Sequence, residues 1–599
     1  MEIWFLRDMQ RLSLERSKIQ RLQASAEWLE GVNWTLEDGL LCVEAIIRVH
    51  GYEYPIRMTY PALFPSIPLV VRPKNPDERW STHQYRDGTL CLEWGPDTWH
   101  PDVTGAQVLE SVYKLLDIEN PLDSDRKVVA PSRHRLSPGQ ELRSSPGRFY
   151  VSSELKGYLA TLPAESSGLL EFSIQVQSKS FVVFIQQIHP SGLQVWDDAS
   201  IPQGVCASEK NGRVQKGVFY KTALDANSIN AISAVSEIER ALDQAGYGLI
   251  SFACREDTHL MGLQHPPSGL LLLDSAGEPH FLLLLDLEDD TIWHLAPVKS
   301  ETSGVGVRVP TDLQGLSDKS VGIVGLGSLG SKIALSLART GVSRFFLVDD
   351  DVFLPENVCR HVLDWQNVGE HKVDAVAAAL SRIAPNIKAD VSRLNITGQE
   401  STASLSGTLS ELGQCDLIID ATASSQVFNV VAAVAFTCGR PLVWAEVYVG
   451  GIGGMIARSR PEHDPNPYAM RAAYHHFTSE APAHSLLVTQ NYTGETTEGI
   501  VLTASDADVS VLAYHATRLT IDTLLEREPS MFPYSMYLVG LARSWVFEAP
   551  FHTIPIETEH LVGQKDINPV SDGILSETAD FLSVLLEGKS TEDSSTIRN

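Results

Sequence analysis

The strongest constraint on how this chain folds is a six-residue run, Gly325-Leu326-Gly327-Ser328-Leu329-Gly330. It is set between a short apolar segment at 321–324 and a helical pattern at 331–339. Glycines at this spacing permit a tight turn and let backbone amides approach an anion at a helix N-terminus, where the helix dipole favours negative charge. A second apolar run, 345–348, ends in Asp349, at the distance expected of an acid that holds a ribose. Strand, glycine turn, helix and strand in that order specify the opening of a Rossmann-like sheet. The alternation of strand and helix patterns continues to about residue 548.

The residues after the second strand decide between cofactors. Asp349-Asp350-Asp351 leads into Pro355-Glu356-Asn357 and Arg360, then Gly369-Glu370-His371-Lys372, and a further strand at 417–419 ends in Asp420-Ala421-Thr422. A nicotinamide-dependent dehydrogenase leaves Arg360, Lys372 and Asp420 unexplained. ATP-dependent activation of a carboxylate needs cations against the triphosphate and an acid for Mg²⁺. Over about 318–525 the pattern resembles the adenylation domain shared by ubiquitin-activating enzymes and the bacterial sulfur-carrier activators. The resemblance implies ATP and Mg²⁺ as cofactors and a nucleotide site built from Gly325, Gly327, Ser328, Gly330, Asp349, Asp351, Asn357, Arg360 and Lys372. In that family pattern Asp349 holds the ribose, Arg360 and Lys372 act on the phosphates with support from Asn357, and Asp420 binds Mg²⁺.

Two departures from the pattern matter. No paired CxxC zinc ligands are present, which argues against the sulfur-carrier branch. The transfer cysteine that ubiquitin-type activators carry ahead of a late helix is also missing. The corresponding stretch, 492–508, has no cysteine, and Ala504 stands where the thiol would. Either the sequence is an engineered variant or the adenylate passes directly to another cysteine. Cys438 is expected to be a buried packing residue.

The N-terminal region supplies that other cysteine. It reads as a helix over 7–21, strands over 40–49 and 54–60, and an amphipathic helix over 106–116. Pro61, Pro65, Pro68 and Pro73 keep 60–73 extended or turning. Tyr60-Pro61, Phe64-Pro65, Asp87-Gly88-Thr89-Leu90-Cys91-Leu92-Glu93, Trp99-His100-Pro101 and Thr104 together resemble the ubiquitin-conjugating fold over about 1–125. The resemblance implies Cys91 as a thiol that accepts and passes on an acyl group. His83 takes the place of the family's oxyanion-stabilising asparagine, where an imidazole donates the same hydrogen bond or takes a proton from the incoming amine. Its plainer reading is a surface histidine before a turn, and His100 reads as structural.

At 599 residues the chain calls for several domains. The expected fold is multidomain α/β. An α+β conjugating-like domain spans 1–125, a linker 126–150, a β-rich α/β middle domain 151–310, a Rossmann-like adenylation domain with a mostly parallel sheet 311–560, and a polar tail 561–599. In the middle domain a single helix is expected over 228–245 and strands over 172–185, 249–253 and 281–285. The net charge of -28 opposes nucleic-acid binding. Apolar runs fall well short of the ~20 residues that span a bilayer, and the N-terminus lacks a signal-peptide pattern. Seven dispersed cysteines fit reduced thiols in the cytoplasm.

The order of domains resembles the bacterial activating–conjugating fusions associated with cyclic-oligonucleotide anti-phage defence. That resemblance implies a homodimer and a protein substrate with a free C-terminal carboxylate, a cGAS-like nucleotidyltransferase, joined to an amine of a target protein. A ubiquitin-like or sulfur-carrier protein as the activated substrate, and a non-catalytic scaffold that binds a modifier, stay open as alternatives.

Overall fold

Alternating burial shapes the first part of the chain. The computed structural model describes residues 3–75, 78, 80, 84–85, 87–122, 130, 137–206, 214–244, 268–286, 291–300, 310–482, 486–490, 493–496, 501–561, 576–579 and 581–583. They divide into two compact units, Met1–Ser144 and Ser145–Asn599. Among the described residues no helix is long and apolar enough to cross a membrane.

The first unit is an antiparallel meander, β1 (Leu29–Glu37), β2 (Leu40–Val49), β3 (Tyr52–Tyr60) and β4 (Val70–Pro73), with helices α1 (Met9–Ser25) and α2 (Gly105–Glu119). Tyr54, Ile56, Met58 and Tyr60 of β3 all point into the core, as a period of two requires. They meet Ile19 of α1 and Val108, Leu109, Val112 and Leu116 of α2. A capping box of Thr104 and Gln107 starts α2, and Asn120, at φ 38°, ends it in the left-handed conformation.

A buried carboxylate joins these elements. Glu15 is fully buried and accepts hydrogen bonds from the Tyr60 hydroxyl (2.9 Å), the Gly105 amide (2.7 Å) and Arg11 Nε (2.8 Å). Arg11 also donates to the carbonyls of Pro101 and Val103. Removing one partner of such a set strands the others without water. Glu15→Ala is expected to destabilise this unit by about 3 kcal/mol, read by hydrogen exchange of the full chain as a roughly 100-fold loss of protection in β3. Unchanged protection there would show that the network contributes nothing.

The second unit opens with a closed barrel. Its strands are β5 (Gly147–Val151), β6 (Ser167–Val176), β7 (Phe181–Pro190), β9 (Gln215–Lys221), β10 (Gly269–Leu273), β11 (Pro279–Asp286) and β12 (Thr291–Lys299), with the short β8 (Trp196–Asp197) beside β7. They pair in the order β5-β12-β11-β10-β9-β6-β7, and a parallel pairing of β7 with β5 closes the ring. Phe149, Phe172, Phe219, Phe281 and Leu271 share one core. Val218, Tyr220, Leu270, Leu272 and Leu282 share another, with Ile238 and Leu242 of the helix Val235–Gln244. Burial on both faces explains the unbroken apolar run of β10.

Three expectations are corrected here. The run 172–185 is parts of two strands, and the helix expected over 228–245 is two, Ala226–Asn230 and Val235–Gln244. β5 begins inside the segment read as a linker, because its alternation is too short to stand out from the surrounding serines and arginines. The strand expected at 249–253 lies outside the described residues.

The remainder is an eight-stranded sheet in the order β15-β14-β13-β16-β17-β18-β22-β23. Its parallel part is β15 (Lys388–Ser392), β14 (Arg344–Val348), β13 (Ser320–Val324), β16 (Leu417–Asp420) and β17 (Leu442–Val447); β18 (Gly453–Ser459), β22 (Met536–Gly540) and β23 (Thr553–Pro555) continue it antiparallel. A separate hairpin sheet holds β19 (Leu486–Gln490), β20 (Thr493–Thr496) and β21 (Val501–Thr503). Helices α3 (Ser328–Thr340), α4 (Lys372–Leu380) and α8 (Asp506–Leu524) share the core of Val321 and Ile323. Helices α5 (Thr402–Gln414) and α6 (Ser425–Cys438) share the core of Val324 and Ile418; α7 (Pro467–Glu480) packs beside α6. Cys438 is a further correction: it is exposed, because it is the last residue of α6 and Gly439 turns the chain away at φ 62°.

Candidate functional site

The site stands at the C-terminal ends of three adjacent parallel strands. In register, Val324 pairs with Val348 on one side and Asp420 on the other. The glycine turn, Asp349 and Asp420 therefore leave the sheet side by side, the usual position for ligands of a doubly wound sheet.

Glycine at two positions is a steric requirement. Gly325 turns at φ 88°, its amide donates to the Val348 carbonyl at 2.9 Å, and a Cβ there would meet Thr422 Cγ2 at 2.7 Å. At Gly330 any Cβ would overlap the Gly325 carbonyl oxygen. Helix α3 thus begins directly against the strand ends. Gly327 caps it without a side-chain oxygen, and nothing lies within 4 Å of where its Cβ would stand. The first-turn amides of a helix have no intrahelical acceptor, so this end offers donors and room for an anion.

Two acids flank the turn. Asp349 accepts from the amides of Leu326 (2.6 Å) and Asp351 (2.9 Å), while burial holds its carboxyl above the usual range. Asp420 is 3% exposed and accepts from the amide (2.9 Å) and hydroxyl (2.6 Å) of Thr422; burial again raises its pKa. A cation beside either would relieve that desolvation. Among the described residues no cluster of three or more acids, histidines or cysteines could hold a metal by itself. Mg²⁺ is commonly held by one or two carboxylates together with phosphate oxygens, which a single buried acid such as Asp420 fits.

The basic side is equally ordered. Lys372 starts α4, is buried, and donates to Asp351 Oδ2 at 2.6 Å. Asn357 accepts from the Leu354 amide at 2.9 Å and so shapes the turn that carries Arg360. His371, just before Lys372, is half-buried, and its enclosed Nδ1 lacks a hydrogen-bond partner. Asp351, Asn357, Arg360 and Lys372 thus follow β14 in one stretch, with Lys372 tied back to Asp351, while Ser328 stands in the first turn of α3.

Two residues here escaped the sequence reading. Lys332 is 5% exposed and donates to the Arg360 carbonyl and to Asp506 Oδ1, both at 2.7 Å, tying the arginine loop to the start of α8. Its signal was a lysine in an otherwise apolar helix face. His361 Nε2 donates to the Leu326 carbonyl at 2.7 Å, and its Nδ1 accepts from the Leu363 amide. Ala504, beside the Ser505 cap of α8, is 1% exposed, so its position is enclosed by packing.

In the first unit Cys91 is partly exposed between buried Leu90 and Leu92. A tight turn, with Gly88 at φ 89° and Tyr85 N–H donating to the Thr89 carbonyl at 2.8 Å, leads into it. The Tyr85 hydroxyl hydrogen-bonds the Cys91 sulfur, which with burial pushes the phenol up to about 12. Trp99 Nε1 donates to the Pro65 carbonyl at 2.7 Å, and His100 is exposed beside Asp102. His83 lies outside the described residues.

Residues 304–512 match the ThiF family model, and 168–298 match a domain described as observed between E2 and E1 domains. An uncharacterized Sinorhizobium fredii protein, y4qC, is 25% identical over 82% of this chain and 84% of its own length. Ubiquitin-like modifier-activating enzyme 5 of Drosophila simulans is 31% identical over 26% of this chain and 40% of its own. The ATP-dependent ubiquitin transferase-like protein Cap2 of Enterobacter hormaechei is 36% identical over 20% of this chain and 19% of its own. The latter two are thus matched over less than half their length. The chain combines a ThiF-family domain with a domain of the kind that lies between E2 and E1 domains.

His361 makes the glycine turn sensitive to acid. Burial lowers its pKa to about 4, from an ordinary value of 6.5. The unfolded chain therefore takes up a proton below pH 6.5 that the folded site refuses, and stability falls with falling pH until about pH 4. Between pH 6.5 and 5 this one group is expected to remove about 2 kcal/mol. Denaturant unfolding of the full chain should show that slope, and His361→Asn should flatten it; equal slopes would assign the acid sensitivity elsewhere.

Proposed function

We propose that this chain activates the C-terminal carboxylate of a protein with ATP, carries the acyl group on Cys91 and delivers it to an amine of a target protein. The observation that carries the first step is the alignment of the glycine turn, Asp349 and Asp420 at one sheet edge, with Lys372 and the Arg360 loop beside it. The names of the activating-enzyme and Cap2 relatives support it. In this reading ATP is the co-substrate: Gly325, Gly327, Ser328 and Gly330 receive its phosphates at the start of α3, and Asp349 receives the ribose. Arg360 and Lys372 order the phosphates, Asp351 holds Lys372 in place, Asn357 shapes their loop, and Asp420 would hold Mg²⁺, which offsets charge on the leaving pyrophosphate.

The bonds follow from that placement. A substrate carboxylate oxygen attacks the α-phosphorus, and the bond to pyrophosphate breaks. The Cys91 sulfur then attacks the acyl carbon and AMP leaves. A target amine finally displaces the sulfur, giving up a proton as the amide forms. His83 serves the last step as a hydrogen-bond donor to the oxyanion or as proton acceptor. The activated protein is read as a cGAS-like nucleotidyltransferase in anti-phage defence, the enzyme as a cytoplasmic homodimer paired through its adenylation domain.

The test is mass spectrometry under non-reducing conditions after incubation with Mg·ATP and a cGAS-like nucleotidyltransferase with a free C-terminus. A thiol-labile adduct is expected with the wild type and none with Cys91→Ala, while substrate-dependent ATP–pyrophosphate exchange persists. Asp420→Ala should lower AMP formation roughly 100-fold or more. AMP without any adduct would sink the conjugation step, and no AMP would sink the activation step.

A further inference from the structure

Behind Asp420 lies a cavity of about 440 Å³, which is within the ~300–1,000 Å³ range of ligand sites. It opens between the end of β17, the start of α6 and the inner face of α7. Its walls are aromatic and apolar, formed by Phe428, Trp444, Met455 and Trp545.

The polar groups in it are few. The Tyr448 hydroxyl is closed off against Tyr474, short of a well-formed hydrogen bond. Glu446 accepts from the Tyr474 hydroxyl at 2.9 Å through Oε1. Arg471 is stacked on the Phe428 ring, 4.5 Å from its centroid, and its charge partly offsets the two carboxylates, Asp420 and Glu446. The Glu446 carboxylate is held among these apolar walls, where burial disfavours its charge, so an occupant that brings a hydrogen-bond donor to it relieves that cost.

We propose that this cavity receives an aromatic side chain with a polar tip, tyrosine or tryptophan, from the last few residues of the protein whose carboxylate is activated. This rests on the activation reading, because the cavity adjoins Asp420 and only a tail whose carboxylate reaches that acid would place its neighbouring side chain here. The walls offer a ring stacking surface, and Glu446 offers an acceptor for its tip. A tail ending in two glycines would leave the walls bare. A lysine would meet Arg471 and His475 as well as the acids. The substrate class is therefore a protein with an aromatic-tipped C-terminal tail, distinct from a glycine-ended modifier.

The experiment uses the full chain and fluorescein-labelled peptides with a free C-terminus. Tyrosine, tryptophan, lysine or glycine is placed at each of the last three positions, with a Gly-Gly tail as reference. Anisotropy reads binding, and ATP–pyrophosphate exchange reads activation. At one of the three positions tyrosine or tryptophan is expected to bind roughly 10- to 100-fold more tightly than glycine. Thr478→Trp, which fills the cavity from the surface of α7, and Glu446→Leu, which removes the acceptor, should each erase most of that advantage. Equal binding of Gly-Gly and aromatic tails, or an aromatic preference untouched by both variants, overturns the proposal. Aromatic binding that both variants erase, without pyrophosphate exchange, keeps the cavity assignment and removes the activation reading. Exchange driven equally by Gly-Gly tails does the reverse.

Discussion

Everything at the candidate site depends on one close approach, that of Gly330 to the Gly325 carbonyl. A hydrogen in place of a Cβ lets α3 sit directly on the ends of β13 and β16. The same approach sets where the Leu326 backbone lies, with its amide to Asp349 and its carbonyl to His361. A methylene at Gly330 would push the helix outward and break both contacts. The turn is thus a rigid part whose geometry is transmitted to three other segments.

Around that turn the charges are buried before any ligand arrives. Lys332, Lys372 and Asp420 each keep less than a tenth of their surface exposed, and the two lysines find carboxylates on neighbouring segments. Desolvation raises Asp349 and Asp420 and lowers His361, so each of these three shifts opposes charge at the site. A bound cation and polyanion reverse that balance, because each supplies the counter-charge the protein lacks. The far side of the sheet uses the same device for a structural end. Arg458, fully buried, donates to Asp522 at 2.7 Å, to Ser530 and to the Phe532 carbonyl, and so fixes the antiparallel strands against α8.

In the first unit a single acid has the corresponding role. Glu15 gathers donors from β3, α2 and its own helix, and Arg11 extends the network to the chain just after His100. The turn that presents Cys91 lies at the other end of the meander, anchored to β4 by the Leu90 amide on the Val71 carbonyl at 2.9 Å. A partly exposed thiol next to buried leucines is positioned by backbone and is left open to a second reactant.

Much of this was legible in the sequence because it depends on local rules. Glycine spacing, a strand of alternating Tyr54, Ile56, Met58 and Tyr60, and acids at strand ends are set by short-range sterics and periodicity, so the sheet edge and the residues Asp349, Asp420 and Lys372 could be named from the chain alone. Tertiary structure decided what depends on which segments meet. Closure of the barrel rests on a β5–β7 pairing that no local pattern encodes. The role of Lys332 exists only because α8 brings Asp506 to it, and His361 matters only because the glycine turn comes within 2.7 Å. The cavity behind Asp420 is likewise assembled from residues over a hundred positions apart. Hydrogen bonds, burial and cavities are properties of pairs in space, and a sequence specifies those pairs only through the fold as a whole.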